Sequence, residues 1–256
     1  MEKNHEMSIT HMRQSLDKLG FVTQEYNDAT LLRFLVARSM DIEKATKMFV
    51  EWKNWRDEFV PLGFIPDSEI PDELGDEKIY LQGPSKIGQH PVMVIKGNKH
   101  LPSKDQLQFK SNYLFSLFQF VVHLLDKTIA SSFKDGKEVG NEKLIVVMDL
   151  EKISYKNVDA RGLIIGFQFL QAYYPERLAK LYILSMPWFF VRVWKMISYF
   201  LEKATLEKVI IVNNEEQRQD FVKQIGEDML TEDYGGRAKL VLVQDVTLNH
   251  FPARND

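Results

Sequence analysis

The most distinctive chemistry in this chain lies in one run, Pro187 to Leu201, which reads Pro-Trp-Phe-Phe-Val-Arg-Val-Trp-Lys-Met-Ile-Ser-Tyr-Phe-Leu. Arg192, Lys195 and Ser198 recur at three-residue spacing and make a single narrow polar stripe. Trp188, Phe189, Phe190, Val193, Trp194, Met196, Ile197 and Phe200 leave the rest of the surface large and apolar. Such a helix carries more apolar area than one core contact buries. Two readings follow: a central helix wedged between two partners, or a mobile lid whose outer face dips into a bilayer. Local charge favours the lid. Arg177 to Lys208 holds six cations against two anions, whereas Asn214 to Asp233 holds seven acidic residues against two basic ones. A basic, aromatic patch on an acidic protein suits peripheral contact with anionic lipid, and a solvated basic face is its competitor.

Other residue types capable of chemistry form no constellation. The sequence has neither G-x-G-x-x-G after a strand nor G-x-x-x-x-G-K-[ST], so dinucleotide and P-loop cradles are not expected. It lacks the G-x-S-x-G elbow. His5, His11, His90, His100, His123 and His250 are scattered without metal-ligand spacing, and no metal or cofactor is expected. Asp149 ends the run Val-Val-Met-Asp-Leu, where a nucleophile could sit; a strand-end carboxylate capping the next turn is the simpler reading. No catalytic residue is assigned and no enzyme is expected.

Composition narrows the class further. The 256 residues carry a net charge of -3, with a pI near 6.1, which argues against a nucleic-acid binder with a broad basic surface. The absence of cysteine excludes disulfides and thiolate sites and fits a reducing cytoplasmic setting. Tyr113 to Leu125 is too short to span a bilayer, and Leu181 to Leu201 interrupts its apolar run with Pro187, Arg192 and Lys195. A cytoplasmic protein that visits membrane surfaces is expected.

Positioning these residues requires a scaffold whose pattern changes along the chain. Up to about Pro61 the periodicity predicts helices, with Asp28 capping Ala29 to Ala37 and Asp41 capping Ile42 to Phe59. Val60 to Gly75, with Pro61, Pro66 and Pro71, reads as a linker. Beyond it, doubly apolar runs at His90–Ile95, Lys143–Leu150, Leu181–Met186, Lys208–Val212 and Lys239–Val243 predict buried strands. Gln106 to Leu125, Asp159 to Ala172, Pro187 to Leu201 and Glu216 to Ile225 predict helices between and after them. This alternation predicts an α/β fold with a mainly parallel sheet covered by helices and an all-helical N-terminal piece.

Several motifs in order match a known family. Asp28 to Arg38 (Asp-Ala-Thr-Leu-Leu-Arg-Phe-Leu-Val-Ala-Arg), Lys44-Ala45 and Trp55-Arg56 resemble the N-terminal signature of CRAL-TRIO proteins. Tyr173-Tyr174-Pro175-Glu176-Arg177, Lys180 to Ile183, Pro187, and Leu230 to Gly236 resemble the lipid-binding domain that follows. The resemblance implies residues 1–62 as a helical N-terminal domain and 76–246 as a lipid-binding domain. It further implies a sheet flooring an apolar lipid pocket, with Pro187 to Leu201 as the gate helix. Gate and membrane contact would fall to Trp188, Phe189, Phe190, Arg192, Val193, Trp194, Lys195, Ile197 and Phe200.

The branch resembled most is that of the yeast-type phosphatidylinositol transfer proteins. Carried over residue by residue, the head group would be held by Arg38, Glu176, Thr205 and Lys208. Arg38 and Thr205 suit the phosphodiester, and Glu176 with Lys208 suits the inositol hydroxyls. Two plainer roles compete: Arg38 as a helix-end cation and Glu176 as an exposed partner of Lys180. The resemblance implies phosphatidylinositol, a second lipid and a membrane surface as partners, with a phosphoinositide kinase as a further candidate. It also leaves room for a neutral ligand of the tocopherol, retinoid or squalene type. One departure bears on the second lipid: Leu144, Val146 and Met93 stand where the branch that carries phosphatidylcholine has hydroxyl side chains.

Overall fold

A computed structural model describes residues 2–102 and 111–248. The chain divides into two compact units, each with its own core. The helical unit comprises the chain up to Gly63 together with Phe133–Glu142 and Phe169–Arg177; the sheet unit comprises Phe64–Ser132, Lys143–Gln168 and the chain from Leu178 onward.

In the helical unit, α1 (Glu2–Lys18), α2 (Asp28–Ala37) and α3 (Ile42–Phe59) bury residues three, four and seven apart. Ile9, Met12 and Leu16 meet Leu31, Phe34 and Leu35, and both sets meet Ala45, Met48 and Phe49. Asp41 caps α3 by accepting from the Lys44 amide at 3.0 Å, as its position predicts. The cap of α2 is Asn27 rather than Asp28: the Asn27 side chain accepts from the Thr30 amide at 2.8 Å. Asp28 opens the helix and pairs with Arg13 at 2.7 Å. The returning segment Phe133–Glu142 docks on this cap through an Asn27 Nδ2 to Glu138 carbonyl bond of 3.3 Å. Gly140 permits that approach, since a Cβ there would lie 2.4 Å from the Asn27 side-chain oxygen.

The sheet unit opens on a segment that the prolines mark as linker but that is folded. Ile65, Ile70 and Leu74 are buried, and Pro71 starts the short helix α4 (Pro71–Gly75). Five strands follow in the spatial order β1 to β5: β1 (Ile79–Pro84), β2 (Pro91–Lys96), β3 (Leu144–Asp149), β4 (Leu178–Leu184) and β5 (Val209–Val212). β1 runs antiparallel to β2, and all later neighbours are parallel. Helix α5 (Ser111–Ala130) lies between β2 and β3 in sequence, and α6 (Ala160–Tyr173) between β3 and β4, the division between units falling within α6. Then come α7 (Phe190–Ser198), α8 (Lys203–Leu206) and, after β5, α9 (Glu215–Ile225). The mainly parallel α/β sheet is therefore as expected.

Three local expectations are corrected. Lys239–Val243 forms no strand: it reaches β1 through one isolated bridge, Tyr80 to Leu242, flanked by a Leu81 amide bond to the Val241 carbonyl at 2.9 Å. Strand β1, one of the two edge strands, is not expected from the sequence because its apolar run is broken by Gln82 and it ends in Gly-Pro. Helix α7 starts at Phe190, so Pro187 precedes it in a turn whose carbonyl accepts from the Phe190 amide at 3.0 Å. Of the helix expected from Gln106, the first five residues lie outside those described.

The two sheet faces are packed differently. On one, Val92, Val94, Ile145, Val147 and Tyr182 are sealed by Phe221 and Ile225 of α9 and by Leu230 and Tyr234. On the other, Leu181 and Ile183 are buried with Phe190, but Val146, Met148, Val209 and Ile211 remain only half-buried within an apolar cluster.

Candidate functional site

The half-sealed face is bordered by the Pro187–Leu201 segment. Ser185, at the turn out of β4, adopts φ +54°, a left-handed conformation that costs a non-glycine residue free energy. Helix α7 then presents Phe190 and Ile197 inward, both nearly inaccessible, and Leu201 extends this row one turn on. Phe189, Val193 and Trp194 are half-buried in the same cluster. The opposite side exposes Val191, Arg192, Lys195, Met196 and Phe200, with Trp188 74% and Tyr199 86% accessible. The polar stripe is therefore flanked on its outward face by exposed aromatic and aliphatic side chains. Arg192 and Lys195 make no ion pair among the described residues.

The four residues carried over by resemblance divide between the units. Arg38 is the C-terminal cap of α2, half-buried, with Nη1 donating to the Ala37 carbonyl at 3.1 Å; this fits the helix-end role. Glu176 sits at φ +55° and is half-buried. Thr205 and Lys208 lie within one turn, the Lys208 amide donating to the Thr205 carbonyl at 3.0 Å where α8 leads into β5. The Lys208 carbonyl in turn accepts from Leu181 at 2.9 Å, which fixes this turn to the sheet.

Glu176 is held by neighbours that the motif alone does not reveal. Arg33 donates to the carbonyl of Pro175 at 3.2 Å. Burial pulls the Arg33 pKa down to about 10, opposed by the charges of Glu142 and Glu176. On the other side of Glu176, Arg177 donates to the Glu142 carbonyl at 2.9 Å and to its carboxylate at 3.2 Å, and also pairs with Glu138. Glu142 closes the loop by accepting from the Val139 and Gly140 amides. Two buried arginines thus clamp the peptide on either side of Glu176. The sequence signal for Arg33 was present, a lone cation inside the apolar run Leu-Leu-Arg-Phe-Leu.

Asp149 has the plainer of its two expected roles. Oδ1 accepts from the Glu151 amide at 2.9 Å, while Oδ2 accepts from Lys96 at 2.8 Å and from the Tyr234 hydroxyl at 2.6 Å. Burial raises its pKa, but these three donors outweigh burial and leave it below the ordinary carboxylate value. The Lys96 ammonium also lies 4.6 Å from the centre of the Tyr234 ring. This cluster ties the Leu230–Gly236 motif to the ends of β2 and β3.

The chain thus combines a helical region with a mixed sheet that has one incompletely covered apolar face bordered by an amphipathic helix. The CRAL/TRIO domain profile matches residues 64–236, and that of the CRAL/TRIO N-terminal domain matches residues 10–51. The chain belongs to the CRAL-TRIO family. It is 29% identical over 245 residues to the Sec14 cytosolic factor of Schizosaccharomyces pombe, covering 93% of this chain and 84% of that one. It is 26% identical to the phosphatidylinositol/phosphatidylcholine transfer protein SFH9 of Arabidopsis thaliana, covering 93% of this chain and 42% of that protein. Among solved structures, that of Sfh5 shares the fold with a TM-score of 0.59 at 19% identity, covering 89% of this chain and 77% of that chain. No helix among the described residues is long and apolar enough to cross a membrane.

Proposed function

We propose that this protein binds a phospholipid, with phosphatidylinositol favoured, and transfers or presents it between membranes. The observation that carries the reading is the unequal packing of the sheet. One face is closed by α9 over the central strands, whereas the other leaves Val146 and Met148 of the central strand β3 half-buried among apolar neighbours beside α7. A diacyl lipid leaving a bilayer forfeits about 0.8 kcal/mol per CH₂, or roughly 25 kcal/mol for two long chains. Polar contacts cannot offset that, so the carrier must offer an equally apolar surface for the chains, and the gate then sets the rate.

In this reading the lipid-binding domain spans 76–246 and residues 1–62 form the helical domain. Arg38 and Thr205 hold the phosphodiester, and Glu176 and Lys208 hold the inositol ring. The relatives' names and the family's domain support lipid carriage; the head-group assignment rests on the four matched residue types. Presentation to a phosphoinositide kinase is the same binding event with a different acceptor. The hydrocarbon at Leu144, Val146 and Met93 favours one further reading, in which a neutral ligand of the tocopherol, retinoid or squalene type shares the site.

Native mass spectrometry of the purified protein tests this directly. Phosphatidylinositol should copurify with the parent and be depleted in an Glu176→Gln/Lys208→Ala variant that keeps its thermal stability. Recovery of a neutral ligand alone, or of unchanged phosphatidylinositol in the variant, overturns the corresponding part.

A further inference from the structure

Outside α7, a large aromatic side chain stands exposed on a turn that is otherwise fully tied down. Tyr155 is 69% accessible, yet the short helical turn that carries it, Tyr155–Asn157, is held from beneath. The Asn157 side chain is buried; it accepts from the Ser154 amide and hydroxyl, both at 2.8 Å, and donates to the carbonyls of Asn98 at 3.0 Å and His100 at 2.9 Å. A turn locked this firmly does not need an exposed tyrosine in order to fold. The ring makes one aromatic contact, with Phe189 at 4.3 Å, and Phe189 in turn meets Trp188 at 6.1 Å. Tyr155 therefore borders the start of the Pro187–Leu201 segment, at half-buried Phe189 beside exposed Trp188, from a different element of the chain.

The charged residues of its turn are mainly cationic. Lys152 and Lys156 flank Tyr155 and are exposed, and Arg192 and Lys195 are exposed on α7, the helix that follows Phe189. Glu151, which lies 3.4 Å from Lys152, is the acidic residue of this turn. Lys156 makes no ion pair among the described residues. An aromatic ring with a polar tip, framed by lysines on a rigid turn, fits the boundary between head groups and acyl chains, where tyrosine and tryptophan concentrate. Because the turn is already ordered, docking it costs little conformational entropy.

We infer that the turn Lys152–Lys156 is a second membrane anchor, seated with Trp188 and Phe189 on an anionic bilayer, so that the protein meets the membrane at two elements and in one orientation. This rests on the membrane-visiting reading under Proposed function and adds a surface to it. The occupant is an anionic bilayer because exposed Lys152 and Lys156 frame an exposed aromatic ring that contacts Phe189, next to the exposed Trp188. Both contacts lie at the N-terminal end of α7, so a docked bilayer holds that end of the proposed gate helix.

Partition of the full-length protein onto sedimenting vesicles tests the inference, using phosphatidylcholine with or without 30 mol% phosphatidylserine. Lys152→Ala/Lys156→Ala should weaken partition onto the anionic vesicles by roughly 25-fold, about fivefold per lysine, with no change on neutral ones. Tyr155→Ala should weaken partition about fivefold on anionic vesicles. Both variants should keep the parent's melting temperature and its copurified lipid. If both variants partition like the parent while the parent binds, the second anchor is wrong and the gate reading stands. If the parent carries lipid but binds neither vesicle, membrane contact fails as a whole. If the variants instead lose a self-association visible in analytical ultracentrifugation, with vesicle binding intact, the surface belongs to a second copy and the inference is overturned.

Discussion

The guanidinium of Arg33 donates to the carbonyl of Pro175 at 3.2 Å, and the next residue, Glu176, takes a left-handed backbone conformation. A strained residue beside a buried cation is a costly arrangement that persists only where neighbours enforce it. Arg33→Met keeps the bulk and removes both the donor and the charge. It should cost about 2–4 kcal/mol in chemical denaturation, because the Pro175 carbonyl and the nearby carboxylates lose their cation. It should also reduce retained phosphatidylinositol without touching Glu176 itself. Arg33→Lys should recover part of the stability but not the directed hydrogen bond. Parent-level stability and lipid content in Arg33→Met would show that the clamp on Glu176 is incidental.

The Asp149 cluster makes a prediction about acid. Its folded pKa lies below the unfolded value near 3.8, so its contribution is fully present above that value and is lost as pH falls through the folded pKa. Urea denaturation of the parent should therefore weaken progressively below about pH 4. Asp149→Asn should lose about 2–4 kcal/mol at pH 7, since Lys96 is left without its counter-charge, and should show a shallower acid dependence. Tyr234→Phe should lose about 1.5–3 kcal/mol, the range for a hydrogen bond to a charged group. Equal acid profiles for parent and Asp149→Asn would refute the assignment.

What could be read from the sequence follows the physics of each element. The central strands β2, β3 and β4 announce themselves because burial on both faces demands unbroken aliphatic runs, and the half-buried edge strand β5 reads the same way from Val-Ile-Ile-Val. Strand β1 does not, since an edge strand tolerates Gln82, Gly83 and Pro84. Leu-Val-Leu-Val at 240–243 looks like a strand and is not, because a single bridge to Tyr80 ends the pairing. The amphipathic run at 187–201 is legible from composition, but which residues face inward is set by packing against Leu181 and Ile183. Tyr155 gave no periodic signal, being one aromatic in a turn, and the clamp around Glu176 joins residues 142 apart for Arg33 and 35 to 39 apart for Arg177.

The two sides of the gate helix should respond oppositely to truncation. Ile197 is buried, and Ile197→Ala should cost about 2–4 kcal/mol through lost burial and the cavity left behind. Tyr199 is almost fully exposed, so Tyr199→Ala should alter stability by less than about 0.5 kcal/mol. If the outward aromatic face meets the membrane as proposed, vesicle-to-vesicle lipid transfer should nevertheless fall in Tyr199→Ala. Unchanged transfer in Tyr199→Ala and in Trp188→Ala would return the segment to the alternative of a purely structural helix.

Met93 pairs with Val146 across β2 and β3, so these two side chains share a sheet face, and the packing of Val146 with Met148, Leu181 and Ile183 identifies it as the half-sealed one. Under the correspondence with the family's phosphatidylcholine-carrying branch, Met93, Val146 and Leu144 put hydrocarbon where that branch has hydroxyl donors for a choline lipid's phosphate. The parent should exchange phosphatidylinositol between vesicles and exchange phosphatidylcholine poorly. Leu144→Ser/Val146→Thr should introduce two hydroxyls, and adding Met93→Tyr a third. Each hydroxyl that meets a phosphate oxygen is worth roughly 1.5–3 kcal/mol, since the acceptor is charged. Leu144 is buried, and its loss should lower stability by about 2–4 kcal/mol, so the melting temperature must be followed alongside. A folded triple variant that gains phosphatidylcholine exchange while keeping phosphatidylinositol exchange would establish that this face selects the second ligand; a folded variant with no gain would exclude it.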